Sequence, residues 1–160
     1  LGGHWRDYSA GLQRGGHRVT GENWRVVRVV HVAATDAEAE RHLRHSDSSV
    51  RFYYDYIRQV LTRAGRIVAF KTRPDMADHE VNTEDVMMER TIFGSPATVR
   101  DKLIALREEA GPFGNLLISG VDWHGQNEEW ERQSIELMTK DVWPAVRRQF
   151  QGAASAVAAQ

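Results

Sequence analysis

The sequence has no cysteine in 160 residues, which removes disulfides, thiolate nucleophiles and thiolate metal ligands from any account of it. A reducing compartment, with the cytoplasm as the simplest case, is the expectation. No run approaches the roughly 18 to 20 consecutive apolar residues that cross a bilayer, and no basic start leads into an apolar segment, so neither a membrane span nor a signal peptide is expected. An excess of one charge is missing as well. Lys and Arg number 21 against 22 Asp and Glu, so no global field would gather nucleic acid, polyphosphate or anionic lipid. The glycine patterns that open Rossmann, P-loop and hydrolase-elbow sites do not occur. An initiator methionine is also lacking, and Leu1-Gly2-Gly3-His4-Trp5 reads as the interior of a longer chain.

What is present has the balance of one globular domain: 41% of residues are hydrophobic and 27% charged. The domain is expected over residues 1–150, followed by an Ala-rich tail over 151–160. Trp5, Tyr8 and Leu12 recur at helical spacing until Gly15-Gly16 breaks the run. The β-branched run from Trp24 to Ala33 predicts a parallel strand covered on both faces. Thr35 or Asp36 caps the next helix, which Ser46 to Ser49 interrupt, and Val50, Tyr53, Tyr54, Ile57, Leu61 and Ala64 then mark one buried helical face. Residues 67–80 lack a period and read as a loop, and a short helix follows over Thr83 to Arg90. Ser95 and Pro96 stand at the N-cap and first helical position of a helix that Gly111-Pro112 stops. Asn115 to Ser119 predicts a second short strand, parallel to the first. A last helix begins near Glu128 and is kinked or restarted at Pro144.

Helices alternating with apolar strands define parallel α/β architecture. Two strands leave open edges, and an eight-stranded barrel takes about 250 residues, so further strands are expected from elsewhere in a longer protein or from another chain. The 160-residue chain is accordingly expected not to persist as a free monomer.

Three stretches carry a resemblance: residues 24–33 with Thr35-Asp36-Ala37-Glu38-Ala39, then Phe93-Gly94-Ser95-Pro96-Ala97-Thr98-Val99, then Gly111-Pro112-Phe113-Gly114-Asn115-Leu116-Leu117. In order and spacing they resemble the C-terminal part of bacterial luciferase-like flavin-dependent monooxygenases, with the limonene-monooxygenase-like branch nearest. Ser134 to Leu137 and Val142-Trp143-Pro144 are similar to that family's terminal helix. The resemblance implies the C-terminal portion of a TIM (β/α)8 barrel. It further implies reduced FMN supplied by a partner reductase, with the deazaflavin F420 as the less favoured cofactor, and O2 used to oxygenate a small organic substrate. The family's early strands, which supply much of its flavin phosphate site, have no counterpart here, so the isolated chain is expected to be inactive. A second reading is a non-catalytic relative that dimerises through its open sheet edges.

Barrel sites lie at the C-terminal ends of strands, which selects His31 as the catalytic candidate and Asp122, Trp123 and His124 as cofactor-binding candidates. His31 and Trp123 are expected near each other at one end of the sheet. The competing readings are a buried histidine satisfied by backbone, a tryptophan of core or lid, and an Asp122 and His124 that simply face water. Arg28 either reaches an anion or pairs with a neighbouring helix. Glu38, His42 and His45 share a helix face, but the spacing occurs by chance on solvated helices and no metal is expected. Arg41, Arg44 and Arg51 read as a solvated face.

Overall fold

The structure is a computed structural model that describes residues 2–158, with side chains through Phe150. Helix α1 (Gly2–Arg14) leads to strand β1 (Arg25–Val32), then α2 (Asp36–Arg44) and α3 (Ser49–Arg63). Two short 3-10 turns, Ile67–Phe70 and Asp78–Glu80, occupy the segment expected as loop. Next come α4 (Thr83–Arg90), β2 (Thr91–Gly94), α5 (Pro96–Ala110), β3 (Asn115–Ile118) and α6 (Glu128–Leu137). A π-helical segment, Met138–Val142, joins α6 to α7 (Trp143–Ala158). Pro144 explains that junction: it brings no backbone N–H, and the wider i to i+5 turn just before it absorbs the break. The backbone of α7 runs through Ala158, while the tail's side chains and residues 159–160 lie outside the described residues.

Both expected strands form and lie parallel in one sheet, and the expectation of two strands is corrected to three. The order is β2-β1-β3. Strand β2 pairs with the upper half of β1, Val29 opposite Thr91 through Val32 opposite Gly94. Strand β3 pairs with the lower half, Arg25 opposite Asn115 through Arg28 opposite Ile118. The backbone bonds place β2 and β3 on opposite edges of β1. The Ala33 N–H donates to the Gly94 carbonyl, whereas the Trp24 and Arg28 carbonyls accept from Gly114 and Ser119. Odd and even residues of one strand point their hydrogen bonds to opposite edges.

Helices cover both faces of this sheet. Val26, Val32 and Ile92 pack with Val99, Leu103, Leu106 and Ala110 of α5 and with Met138, Val142 and Val146 behind it. On the other face Val29 packs with Leu43 of α2, Val50 and Tyr54 of α3, and Val86 and Met87 of α4. This coverage stops short of the lower end, where Val27 is 55% and Leu117 45% exposed side by side. The expectation of a strand covered on both faces therefore holds only for the upper half of β1.

The start of α5 is fixed as its sequence foretells. Ser95 accepts a hydrogen bond from the Thr98 N–H, Pro96 opens the helix, and the Asp36 carboxylate accepts from Ser95 N–H at 2.6 Å and from the Thr98 hydroxyl at 3.0 Å. Ser95→Ala removes this cap and is expected to lower stability by about 1 kcal/mol, read from the urea midpoint. At the other end Gly111 has φ of 85°, and a Cβ there would collide with the Trp5 ring. Trp5, Tyr8 and Trp24 stack together around that turn, and the Trp24 indole donates to the Ala110 carbonyl at 2.9 Å.

Candidate functional site

The C-terminal ends of β1 and β3 gather most of the polar chemistry. His31 stands one residue from the end of β1 and is only 6% exposed. Its partner is not backbone, as the structural reading of the sequence had it, but a second buried histidine. His31 Nε2 lies 3.0 Å from His42 Nδ1 of α2. The His42 ring stacks on Trp130 of α6, centroids 4.2 Å apart and planes 7° from parallel, and His45 meets the same indole edge-on. His42 of α2 and His45 at its C-cap thus converge on Trp130.

Burial, reinforced by the neighbouring His42, pushes His31 down to about 4. Burial also lowers His42, against the opposing pull of Glu38. Both rings are neutral near pH 7, so a single proton lies between Nε2 and Nδ1, and its placement fixes the tautomer of each ring.

Asp122 is half-exposed and hydrogen-bonded within its loop and to α3. Its carboxylate accepts from the Ser49 hydroxyl at 2.8 Å and from the backbone N–H of Gln126 and Asn127 at 3.1 and 2.7 Å. The Asn127 side chain in turn accepts from the Ser49 N–H at 2.7 Å. These bonds tie the loop leaving β3 to the first turn of α3. Trp123 projects outward, 60% exposed, edge-on to Tyr53 and Tyr56 at 6.3 and 6.5 Å. His124 is exposed beside it. Asp122, Trp123 and His124 line a cleft of about 290 Å3 with Asp47, Ser49 and Phe52. His31 lines two other cavities, one of about 20 Å3 shared with His42, Ser49 and Trp130 and one of about 250 Å3 between β1 and β3. His31 and Trp123 therefore share one end of the sheet but flank the start of α3 from separate cavities.

Arg28 is half-buried near α5. Its guanidinium donates to the Val27 carbonyl at 2.9 Å; burial lowers its pKa, and Glu109 of the neighbouring α5 opposes that shift. Arg41 and Arg44 pair with Glu38 and Glu40, and Arg44 and Arg51 with Glu84, all on an exposed surface. Sequence reasoning missed Trp130, Asn127 and Ser134 as site residues. Ser134 accepts from the Val32 N–H at 2.8 Å, capping the edge of β1 above the point where β3 stops. Only the short length of β3 against β1 hinted that such a cap was needed.

Parallel strands, helical crossovers and polar groups collected at strand exits define an α/β protein whose sheet is a portion of a (β/α)8 barrel. No family model matches the chain. It is 28% identical over 143 residues to a 3,6-diketocamphane 1,6-monooxygenase of Pseudomonas putida, covering 89% of this chain and 37% of that protein. It is 23% identical to a limonene 1,2-monooxygenase of Rhodococcus erythropolis, covering 90% of this chain and 34% of that one. Among solved structures it matches the oxygenating constituent of 3,6-diketocamphane monooxygenase from P. putida, a type II Baeyer-Villiger monooxygenase in complex with FMN. The TM-score there is 0.72 at 27% identity, over 89% of this chain and 38% of that one. The chain spans well under half the length of these relatives. Over most of its length the chain is thus similar, in sequence and in backbone, to part of these monooxygenases, in line with the resemblance to luciferase-like flavin-dependent monooxygenases.

Proposed function

We propose that this chain is the C-terminal part of an FMN-dependent monooxygenase that oxygenates a small organic substrate with O2, using reduced flavin from a partner reductase. The observation that carries the reading is the likeness, in sequence and in backbone, of nearly nine tenths of the chain to an FMN-bound monooxygenase. His31 is the proposed catalytic residue, a neutral imidazole held at a strand exit. The flavin ring is assigned to the surface formed by Trp123 with Tyr53 and Tyr56, with His124 alongside and Asp122 holding the loop in place. The fit is to the ring alone. Among the described residues the cleft's charged lining is Asp47 and Asp122, with no Lys or Arg to meet a phosphate, so the phosphate falls to parts of the barrel that this chain does not span. When bound, reduced flavin supplies the activation of O2; the residues named here orient the ring and exclude water from one side.

A second reading is an interaction module that joins another copy or the rest of a barrel through its sheet. The exposed Val27, Leu117 and Ile118 favour it. Titration with lumiflavin, the ring without the ribityl phosphate, separates the two. A saturable change in the visible flavin band, weakened severalfold by Trp123→Ala, supports the flavin reading. No change with lumiflavin or FMN leaves the module.

A further inference from the structure

Where β1 meets α2, two histidines that are each only 6% exposed face one another, His31 Nε2 lying 3.0 Å from His42 Nδ1. One proton joins two neutral rings. If His31 supplies it, His42 carries its own proton on Nε2; if His42 supplies it, His31 carries its own on Nδ1. Moving the shared proton across therefore changes the state of both outer nitrogens, and the pair behaves as one unit with two ends.

The two ends open onto different places. At the inner end no hydrogen bond to His31 Nδ1 occurs among the described residues, and the ring lines the cavities of about 20 and 250 Å3, as does Glu131 of α6. At the outer end His42 stands one helical turn after Glu38, and Glu38, Arg41 and His45 all act on its charge. Glu38 is half-buried, while Arg41 and His45 are exposed. Trp130 lies flat against the His42 ring, centroids 4.2 Å apart, and so holds its plane and the line between the two bonded nitrogens. Burial makes either ring a poor place to store a positive charge. Passing a proton through the pair requires no such storage.

We propose that His31 and His42 form a proton relay between the C-terminal end of β1 and the outer surface of α2. At rest each ring holds its proton on Nε2, the nitrogen that neutral histidine favours, and His31 donates to His42. A proton taken up at His31 Nδ1 forms an N–H bond there as the His31 Nε2–H bond breaks. The released proton joins His42 Nδ1, and His42 Nε2 gives up its own to Glu38 or to water. One proton enters, one leaves, and both rings end neutral in the other tautomer. The reverse passage restores the start, which suits a cycle that takes a proton at the strand end and later returns it. His42 is thus a positioning residue that acts through His31. What the relay serves rests on the monooxygenase reading, but the relay itself needs no flavin.

The test is NMR of the 160-residue chain, isotope-labelled in its histidine rings, at pH 7 without flavin. The expected spectrum has the proton of both rings on Nε2 and a coupling across the hydrogen bond that joins them. His42→Gln keeps an oxygen that accepts from His31 but cannot pass the proton on. That variant is expected to retain the His31 tautomer and to slow exchange of its Nε2 proton with water by about tenfold or more. Unchanged or faster exchange would mean that His42 only packs, and would overturn the proposal. Should His42→Gln fail to fold, the unmodified chain decides: His31 protonated on Nδ1, or no coupling between the rings, overturns it equally. Lumiflavin binding without the relay signature removes the relay alone, and the signature without lumiflavin binding removes the flavin reading alone.

Discussion

Lowering the pH from 7 to 4.5 is expected to destabilise the folded chain by up to roughly 3 kcal/mol through His31 alone. The ring titrates at about 4 when folded against 6.5 when free, because burial and the adjacent His42 disfavour its charged form. Between those values the unfolded chain binds a proton that the folded chain refuses, so stability is whole above about pH 6.5 and falls as the pH drops towards 4. His42, also lowered, adds in the same direction. Carboxylates held low by hydrogen bonds, Asp36 and Asp55 among them, lose stability over the acid end of the range, so the slope of the native chain is not diagnostic by itself. The comparison with His31→Gln isolates the histidine. Urea denaturation at pH 7, 6, 5 and 4.5 is expected to show a shallower slope in the variant between pH 6.5 and 4.5. Parallel slopes would mean that His31 is solvated and charges freely, which the buried pair does not allow.

Leu103→Ala is expected to cost about 2 to 5 kcal/mol, a large share of the roughly 5 to 15 kcal/mol that holds a domain together. Leu103 is 1% exposed at the centre of the layer between α5 and the sheet, where Val26, Val32 and Ile92 meet Val142 and Val146. With the crossover helix on one side and α7 on the other, little can move in to fill the space. Val68→Ala, at a residue 68% exposed, serves as the control and is expected to stay within about 0.5 kcal/mol. A small effect at Leu103 would show that this layer packs loosely and that α5 does not anchor the sheet.

What the sequence discloses depends on whether its signals are local. Strand β1, α3 and the Ser95-Pro96 start of α5 are legible because a β-branched run, a helical apolar period and a cap each act within a few residues. Strand β2 is hidden because it follows α4 without a break: Arg90 ends the helix and Thr91 begins the strand, with no Gly, Pro or Asn between them. The position of β3 beside β1 rather than beyond β2 is a pairing between segments some ninety residues apart in sequence, and periodicity carries no trace of it. His31 could be singled out from its place near the strand's end, but its partner could not. His42 sits on a helix whose charged neighbours suggested a solvated face, and Trp130, which flattens against it, lies far along the chain. Trp123 was legible as an aromatic at a strand exit, while its outward direction against Tyr53 and Tyr56 was not.

The portion of a barrel described here leaves Val27, Leu117 and Ile118 exposed and the outer edge of β3 free of any strand among the described residues. An apolar edge of this kind presents unpaired donors and acceptors to any strand that meets it. The most direct measurement is size-exclusion chromatography with light scattering on the 160-residue chain at low micromolar concentration, combined with hydrogen exchange of the β3 amides. The account predicts a mass above the 18.2 kDa of one chain, with exchange at β3 slowed as association increases. A stable monomer of 18.2 kDa whose β3 amides are already fully protected would contradict it, because the three strands would then complete a core that needs no further barrel.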